Sequence, residues 1–300
     1  MRFRATVPNV NTFYKIAQTI EKLHKHMIIR FTESVMHIIC NSAASEGGVQ
    51  VWSQIEVPVL FTDYRIQSNA DNEITFTVHS DVLAAALRSA ASPSAPHASH
   101  DMDPTVIMRL AKKNEGAVLS FEITGVSRLN REIRVSHDVR IEVMRAHDVR
   151  KLSAPLCPNP DVNIILPPLT KLRTVVERIR PLAGEVIALY ANGSGALKVS
   201  GRTDSARVDV AWSGLANPAM EPDSNSQGQT DDETNDPTKM YGVLVSLRSL
   251  SKFLGNHVVS TTTIASICQN HCLILYVYIG GGDAGGVITF YIPAIFDDPI

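Results

Sequence analysis

The stretch Pro158–Ile179, PNPDVNIILPPLTKLRTVVERI, contains the local pattern from which the fold can be read. Residues 161–166 are rich in Val and Ile and predict a β-strand. Pro168 suits the first turn of a helix, because the missing N–H would have no partner there, and Pro181 predicts where that helix ends. Between the two prolines, apolar residues recur at helical spacing and give the helix one face to bury: Leu169, Leu172, Val175, Val176 and Ile179.

The same order of strand and helix opens the chain. Residues 3–7 predict a strand, and Asn11 is placed to cap a helix that runs to about His24. Further strands and a second helix follow in both halves. The strand that ends at Trp52 (VQVW) has a counterpart that ends at Trp212 (VDVAW), 160 residues later. A repeat of half the chain is too long for a solenoid, so we predict an α+β protein of two similar domains.

Residues 144–160 interrupt this order, because they contain three prolines and no sustained periodicity. Such a segment is typical of a linker. We therefore predict an N-terminal domain at 1–143, a linker at 144–160 and a C-terminal domain at 161–300. The second domain carries an insert at 217–239, in which residues 221–238 hold six acidic residues and no Lys or Arg. We expect this insert to be disordered.

Composition is that of a globular protein, with 44% hydrophobic residues and a net charge of −2. It excludes a wholly disordered chain, and four scattered cysteines exclude a disulfide scaffold and suit a reducing compartment. The apolar run Leu273–Ile279 is far short of a membrane span, and the N-terminus has no apolar segment typical of a signal peptide. We therefore expect a soluble intracellular protein.

Lys and Arg dominate the predicted outward faces of the helices, although the whole chain is slightly acidic. One interpretation is a set of ordinary solvated faces; the other is one basic surface for a phosphate backbone. Since no base-reading motif is present, such binding would be independent of nucleotide sequence. The cations concerned are Lys15, Lys22, Lys25, Arg88, Lys171, Arg173, Arg178, Arg248 and Lys252.

No motif supports an enzyme, a metal or a cofactor. Residues 280–285 match G-x-G-x-x-G by letters, but a strand follows them where a dinucleotide site needs a helix. Cys268, His271 and Cys272 have no second pair of ligands at zinc spacing. We predict a protein without catalytic activity, cofactor or metal.

Several segments together carry a resemblance to a known family. They are MRFRA at the N-terminus, the helix near Asn11, the strand that ends at Cys40, GGVQVW (47–52) and the stretch 158–179. In this order they resemble the Hus-one subunits of the nine-one-one checkpoint clamp, which are relatives of the PCNA-type sliding clamps. The resemblance covers essentially the whole chain, except for the loops at 91–104 and 217–239.

The resemblance implies a ring of three different chains around double-stranded DNA, with helices on the inner face and antiparallel sheets outside. The helix cations named above would then face the DNA. The linker would receive partner peptides at residues such as Val149, Leu152 and Leu156. Strand edges at 132–136 and 206–212 would join neighbouring subunits.

The same resemblance implies a function. The ring would be placed by a clamp loader at DNA damage and would recruit checkpoint and repair proteins, in the nucleus and also in the cytoplasm. The alternative is a protein-interaction scaffold that does not contact DNA.

Overall fold

The computed structural model describes residues 1–41, 48–91, 105–113, 116–126, 131–203, 205–219, 236–255, 259, 262–280 and 285–295. The chain forms two compact units. The first comprises Met1–Cys40, Trp52–Ser153 and Gly280–Gly286, and the second comprises Asn41–Val51, Ala154–Ile279 and Val287–Ile300. The boundary between the two units after Ser153 lies within the predicted linker, residues 144–160. The domain bounds that we predict from the sequence stay a prediction. Most of the loop 91–104 and of the insert 217–239 lies outside the described residues. The disorder expected of that insert therefore stays a prediction.

The N-terminal half alternates strands with short helices. Its elements are β1 (Arg2–Thr6), α1 (Val10–Glu21), β2 (His26–Phe31), β3 (Val35–Cys40), β4 (Gln50–Glu56), α2 (Val57–Leu60), β5 (Thr62–Gln67), β6 (Ile74–His79), α3 (Ser80–Ala91), β7 (Thr105–Lys113), β8 (Gly116–Val126), β9 (Glu132–Val143) and α4 (Ala146–Val149).

The C-terminal half repeats this pattern. Its elements are β10 (Val162–Ile165), α5 (Leu169–Ile179) with a following 3-10 turn (Arg180–Leu182), β11 (Val186–Ala191), β12 (Leu197–Arg202), β13 (Arg207–Trp212), β14 (Tyr241–Ser246), α6 (Leu247–Phe253), β15 (Thr262–Cys268), β16 (Cys272–Ile279) and β17 (Gly286–Pro293).

The strand orders of the two halves correspond. In the first half β4-β3-β2-β6 lie side by side, and in the second half β13-β12-β11-β14 do the same with the equivalent strands. Likewise β9-β8-β7-β1 correspond to β17-β16-β15-β10. The strand β5, at the far edge beyond β1, has no counterpart among the described residues of the second half. This shared topology confirms the prediction of an α+β protein with two similar domains.

Each half buries the apolar stripe of its helices. In the first half α1 and α3 pack against each other, with Ile16, Ile20 and Leu87 fully buried. In the second half α5 and α6 are in contact, and Leu172 and Phe253 are fully buried. Burying one such side chain stabilises a fold by about 1.5–3 kcal/mol, so these stripes fix the opposite face of each helix towards solvent.

The pattern of the sequence did not predict every element. The helix α1 begins at Val10, with Asn9 as its N-cap, so Asn11 lies inside the helix. The segment 144–160 contains the short helix α4, and β5 is an additional strand.

No helix among the described residues is long and apolar enough to cross a membrane.

Candidate functional site

The helix α1 presents Lys15, and its C-cap residue Lys22, on the side opposite its buried stripe. Lys15 and Lys22 are exposed, whereas Ile16 and Ile20 are fully buried. The lysines are seven residues apart, which places them on one side of the helix and about 10 Å apart along its axis. Between them Gln18 donates a hydrogen bond to the hydroxyl of Tyr14 (3.1 Å).

Lys25 is exposed and lies beyond the end of α1. The helix ends at Glu21, earlier than the expected end near His24. It ends there because the N–H groups of Leu23 and His24 both turn back to the carbonyl of Ile20. Ser80, the first residue of α3, then holds this turn: its N–H donates to the Lys25 carbonyl (2.9 Å) and its hydroxyl donates to the His24 carbonyl. Lys25 therefore lies beside the N-terminus of α3.

The helix α3 contributes little positive charge. Arg88 is exposed, but so is Asp81 in the first turn of the same helix. Asp81 stabilises the helix through its dipole and offsets the charge of Arg88. Arg88 is the only Lys or Arg that α3 contributes.

The helix α5 carries the densest set of outward cations. Lys171, Arg173 and Arg178 are exposed opposite the buried Leu172 and Val176. The guanidinium of Arg173 forms an ion pair with the carboxylate of Glu177, with 2.7 Å between Nε and Oε1. Lys171 and Arg178 have no ion pair within the described part of the chain, so they are the two cations of α5 whose charge is most available.

The helix α6 is short and firmly capped. The hydroxyl of Ser246 accepts a hydrogen bond from the N–H of Ser249, which is typical of a capping serine. Arg248 is exposed, and Lys252, one turn later, is half-buried. Arg248 therefore presents its charge to solvent more openly than Lys252.

The linker residues differ in exposure. Val149, at the end of α4, and Leu152 are half-buried, whereas the side chain of Leu156 is 94% exposed. The backbone N–H groups of Val149 and Leu152 are bonded to carbonyls within the same segment. Of the three apolar side chains predicted to receive a partner, Leu156 is the most exposed to solvent.

Both strand segments predicted to join subunits have an open side in the described residues. Residues 132–140 of β9 pair with β8, and β6 reaches only residues 141–143. The strand β13 pairs with β12 and is the last strand of its sheet. Two apolar side chains in the first segment, Ile133 and Val135, are 48% and 39% exposed. Such edges are available for pairing with another chain.

Charge along β13 is organised by hydrogen bonds. The carboxylate of Asp209 accepts a hydrogen bond from the Ser200 hydroxyl and one from the Arg207 guanidinium. These contacts, the Ser200 bond first, lower the pKa of Asp209 below its usual range. The carboxylate therefore stays ionised on this open strand at neutral pH.

Three of the four thiols come together in the second unit. Cys268 and Cys272 are opposite each other on β15 and β16, and Cys157 packs against them. All four cysteines are free. Among the described residues no group of three or more His, Cys, Asp or Glu side chains has a geometry that could hold a metal ion.

The comparisons with known proteins cover nearly the whole chain. The family model described as "Hus1-like protein" matches residues 1–296. The checkpoint protein hus1 of Schizosaccharomyces pombe is 34% identical over 300 residues, which is 99% of this chain and 100% of that protein. The checkpoint protein HUS1 of Homo sapiens is 27% identical over 277 residues, or 90% of this chain and 92% of that protein.

A solved structure shows the same fold at low identity. The proliferating cellular nuclear antigen of Entamoeba histolytica superposes with a TM-score of 0.69 at 14% identity, covering 98% of this chain and 99% of that one. The fold is thus that of a sliding clamp. With the family match over residues 1–296 and the 34% identity to the fission yeast protein, this chain belongs to the Hus1-like family of checkpoint clamp proteins.

Proposed function

We propose that this chain is a non-catalytic subunit of a heterotrimeric checkpoint clamp that encircles double-stranded DNA at sites of damage and recruits checkpoint and repair proteins. The observation that carries this proposal is that helices in both units turn Lys and Arg to solvent on the side opposite their buried stripes. The family supports a role in a checkpoint clamp, and the fold supports a ring-forming subunit.

The distribution of charge suits retention by encirclement. The outward cations are spaced along helices rather than gathered into one dense patch, and each contact between a cation and a phosphate is weak and salt-dependent. Contacts to phosphates carry no sequence information and let a protein slide. The proposed DNA-facing surface is formed by the cations on the helices or next to them: Lys15, Lys22, Lys25, Arg88, Lys171, Arg173, Arg178, Arg248 and Lys252.

Assembly would use the two open strand edges. The edge at 132–136 of one subunit would pair with a neighbour, and the edge at 206–212 would pair with the other neighbour, so that the ring closes by backbone hydrogen bonds. The exposed Ile133 and Val135 support the first edge, because pairing would remove their apolar surface from water. Leu156 in the linker supports docking of an apolar peptide side chain. Nuclear localisation and dependence on a clamp loader complete the proposal.

The test is retention on closed circular DNA by the complete ring. The variant Lys15→Glu with Lys171→Glu removes one cation from α1 and one from α5. The matched control, Arg65→Glu with Lys198→Glu, makes the same change of charge on β5 and β12. We expect the first variant to assemble normally and to lose retention as salt rises, with the salt slope reduced by about one for each phosphate contact removed.

The control should be retained like the natural protein. Equal retention of both variants at moderate salt would contradict the DNA-facing surface and favour the alternative, a scaffold that acts through proteins alone. A loss of assembly in the first variant would be visible by gel filtration and is a separate outcome.

A further inference from the structure

Three arginines lie side by side on the outward face of the first unit's sheet. In the register of the strands, Arg4 of β1 is directly opposite Arg65 of β5 on one side and Arg109 of β7 on the other. Arg2 lies two residues before Arg4 and so shares its face. All four are exposed. We call Arg2, Arg4, Arg65 and Arg109 the arginine row.

The arginine row faces away from α1. Phe3 and Ala5, which alternate with Arg2 and Arg4 along β1, are buried. Phe3 stacks on Phe31, Phe31 contacts Phe61, and Phe61 contacts Phe13 of α1. This chain of aromatic contacts places α1 on the core side of the sheet. The arginine row is therefore a basic surface distinct from the lysines of α1.

Like charges directly opposite each other destabilise a sheet, so the stability of the fold does not explain the arginine row. Edge strands often carry a charge that blocks aggregation, but that accounts only for Arg65, since β1 and β7 have partners on both sides. Within the described part of the chain, three of the four arginines are not paired with an acid. Within the described residues Arg2, Arg4 and Arg65 form no ion pair, and the Arg109–Glu122 pair is long at 3.8 Å.

The backbone holds Arg65 in the row. Between Arg4 and Thr6 the pairing of β1 with β5 contains a bulge, at which Asp63 adopts a positive φ of 47°. Tyr64 then turns to the core, where its ring meets Phe3 edge-on and its hydroxyl donates to the Thr32 carbonyl. Because side chains alternate along a strand, the inward Tyr64 directs Arg65 outward.

We propose that the arginine row is a docking site for a phosphorylated acidic peptide of a partner protein. Opposite residues on paired strands are about 5 Å apart, so the three directly opposed arginines span about 10 Å, with Arg2 about 7 Å along β1. A dense group of guanidinium forks suits a concentrated anion, and the guanidinium binds phosphate or carboxylate through two parallel hydrogen bonds. A phosphoserine brings up to two negative charges and three acceptor oxygens to such a cluster.

Sliding DNA contacts favour a different arrangement, in which cations are spread along a path and each contributes little. The arginine row is short and lies on one face of the sheet. These features favour a phosphopeptide over a duplex. The proposal does not depend on the DNA-facing surface, because it uses other residues on the opposite side of the core.

The test uses the full chain and a fluorescein-labelled ten-residue peptide with two phosphoserines between glutamates, read by fluorescence anisotropy at physiological salt. We expect saturable binding, and binding at least about tenfold weaker for the unphosphorylated peptide, since the phosphates supply most of the charge. The variant Arg4→Gln with Arg65→Gln should lose about tenfold or more in affinity, and Arg4→Lys with Arg65→Lys should retain part of it, because lysine keeps the charge without the fork.

Two controls accompany these variants. Lys112→Glu removes a cation of β7 from the opposite face and should bind like the natural chain, as should Lys15→Glu. The Gln variant should melt at or above the natural temperature, since it removes like-charge repulsion. Unchanged affinity of the Gln variant, or equal binding of both peptides, would overturn the proposal. If a 20-base-pair DNA duplex bound the natural chain but not the Gln variant, the proposal would also be overturned, because that result would assign the arginine row to nucleic acid.

Discussion

Gly201 of β12 lies directly against Ile179, the last residue of α5. A Cβ atom added at Gly201 would be 2.4 Å from the Ile179 Cγ2 atom and 2.7 Å from the Ala183 Cβ atom, closer than Cβ contacts come in folded proteins. The backbone of the strand therefore approaches the end of the helix as only a glycine allows. This contact sets how α5 lies on its sheet, and with it the direction of Lys171 and Arg178.

Gly201→Ala should destabilise the protein through this contact. Overpacking of a close-packed site costs about 1–3 kcal/mol, so the urea midpoint and the melting temperature should both fall. The matched control is Gly116→Ala on β8, where the added Cβ would meet only the Lys113 carbonyl at 3.7 Å. The control should change stability by less than about 0.5 kcal/mol. An equal effect of both substitutions would show that α5 does not depend on this close approach.

The cations of α5 should not contribute equally to retention on DNA. Arg173 is held by Glu177, whereas Arg178 on the next turn has no ion pair in the described residues. Arg173 must break its ion pair with Glu177 before it can bind a phosphate, and the free energy of that pair weakens the binding. We expect Arg178→Ala to shorten retention of the ring on circular DNA more than Arg173→Ala does, and Glu177→Gln to lengthen it.

These variants are compared by the half-life of the ring on DNA across a salt series. Removal of an exposed ion pair costs at most about 1 kcal/mol in stability, so folding should not obscure the comparison. If Arg173→Ala were the more harmful change, the pair with Glu177 would be broken in the DNA-bound state.

The open edge of β9 should be needed for assembly but not for folding. Ile133→Lys with Val135→Lys places two charges where the proposed neighbour would pair. Because both side chains are already 48% and 39% exposed, the melting temperature should change little. Gel filtration with the two partner subunits should show a free chain in place of the trimer.

Val82→Lys is the matched control for this edge. Its side chain is 44% exposed, but it lies on α3 rather than on a strand edge. The control should enter the trimer normally. A trimer that forms with the β9 variant would exclude the segment 132–136 from the subunit interface.

Local patterns predicted most of the fold because they depend on nearby residues. The prolines at 168 and 181 and the apolar spacing between them identified α5. The order of strands and helices in the two halves was also sufficient to predict the duplicated topology.

Features that depend on distant contacts were not predicted. The turn that follows α1 is held by Ser80, which lies far along the chain and donates hydrogen bonds to the carbonyls of His24 and Lys25. After the bulge at Asp63, β5 keeps only two apolar residues at alternate positions, Tyr64 and Ile66, which is too short an alternation to predict a strand. The alignment of Arg4 with Arg65 and Arg109 is a matter of register between strands, which a single sequence does not specify.

Cys157 should be the most reactive thiol of the three-cysteine cluster at neutral pH. It is half-buried, and a hydrogen bond from the thiol of Cys272 lowers the pKa of Cys157 by stabilising its thiolate. The same bond raises the pKa of Cys272, and burial raises the pKa of Cys40 to about 12. The thiolate is the reacting species, so iodoacetamide should label Cys157 first when followed by mass spectrometry at pH 7.5.

Cys272→Ala tests the cause of this reactivity. Without the donated hydrogen bond the pKa of Cys157 should rise, so its labelling rate at pH 7.5 should fall. The gain in nucleophilicity that accompanies a higher pKa offsets only about half of the loss of thiolate. Above the pKa of both forms the ordering should reverse, because the thiol is then fully ionised and the more basic thiolate reacts faster. Cys40→Ala, which touches a separate buried thiol, should leave the whole pH–rate profile of Cys157 unchanged. A Cys157 rate that is the same with and without Cys272 across the pH range would show that exposure alone, and not the hydrogen bond, controls this thiol.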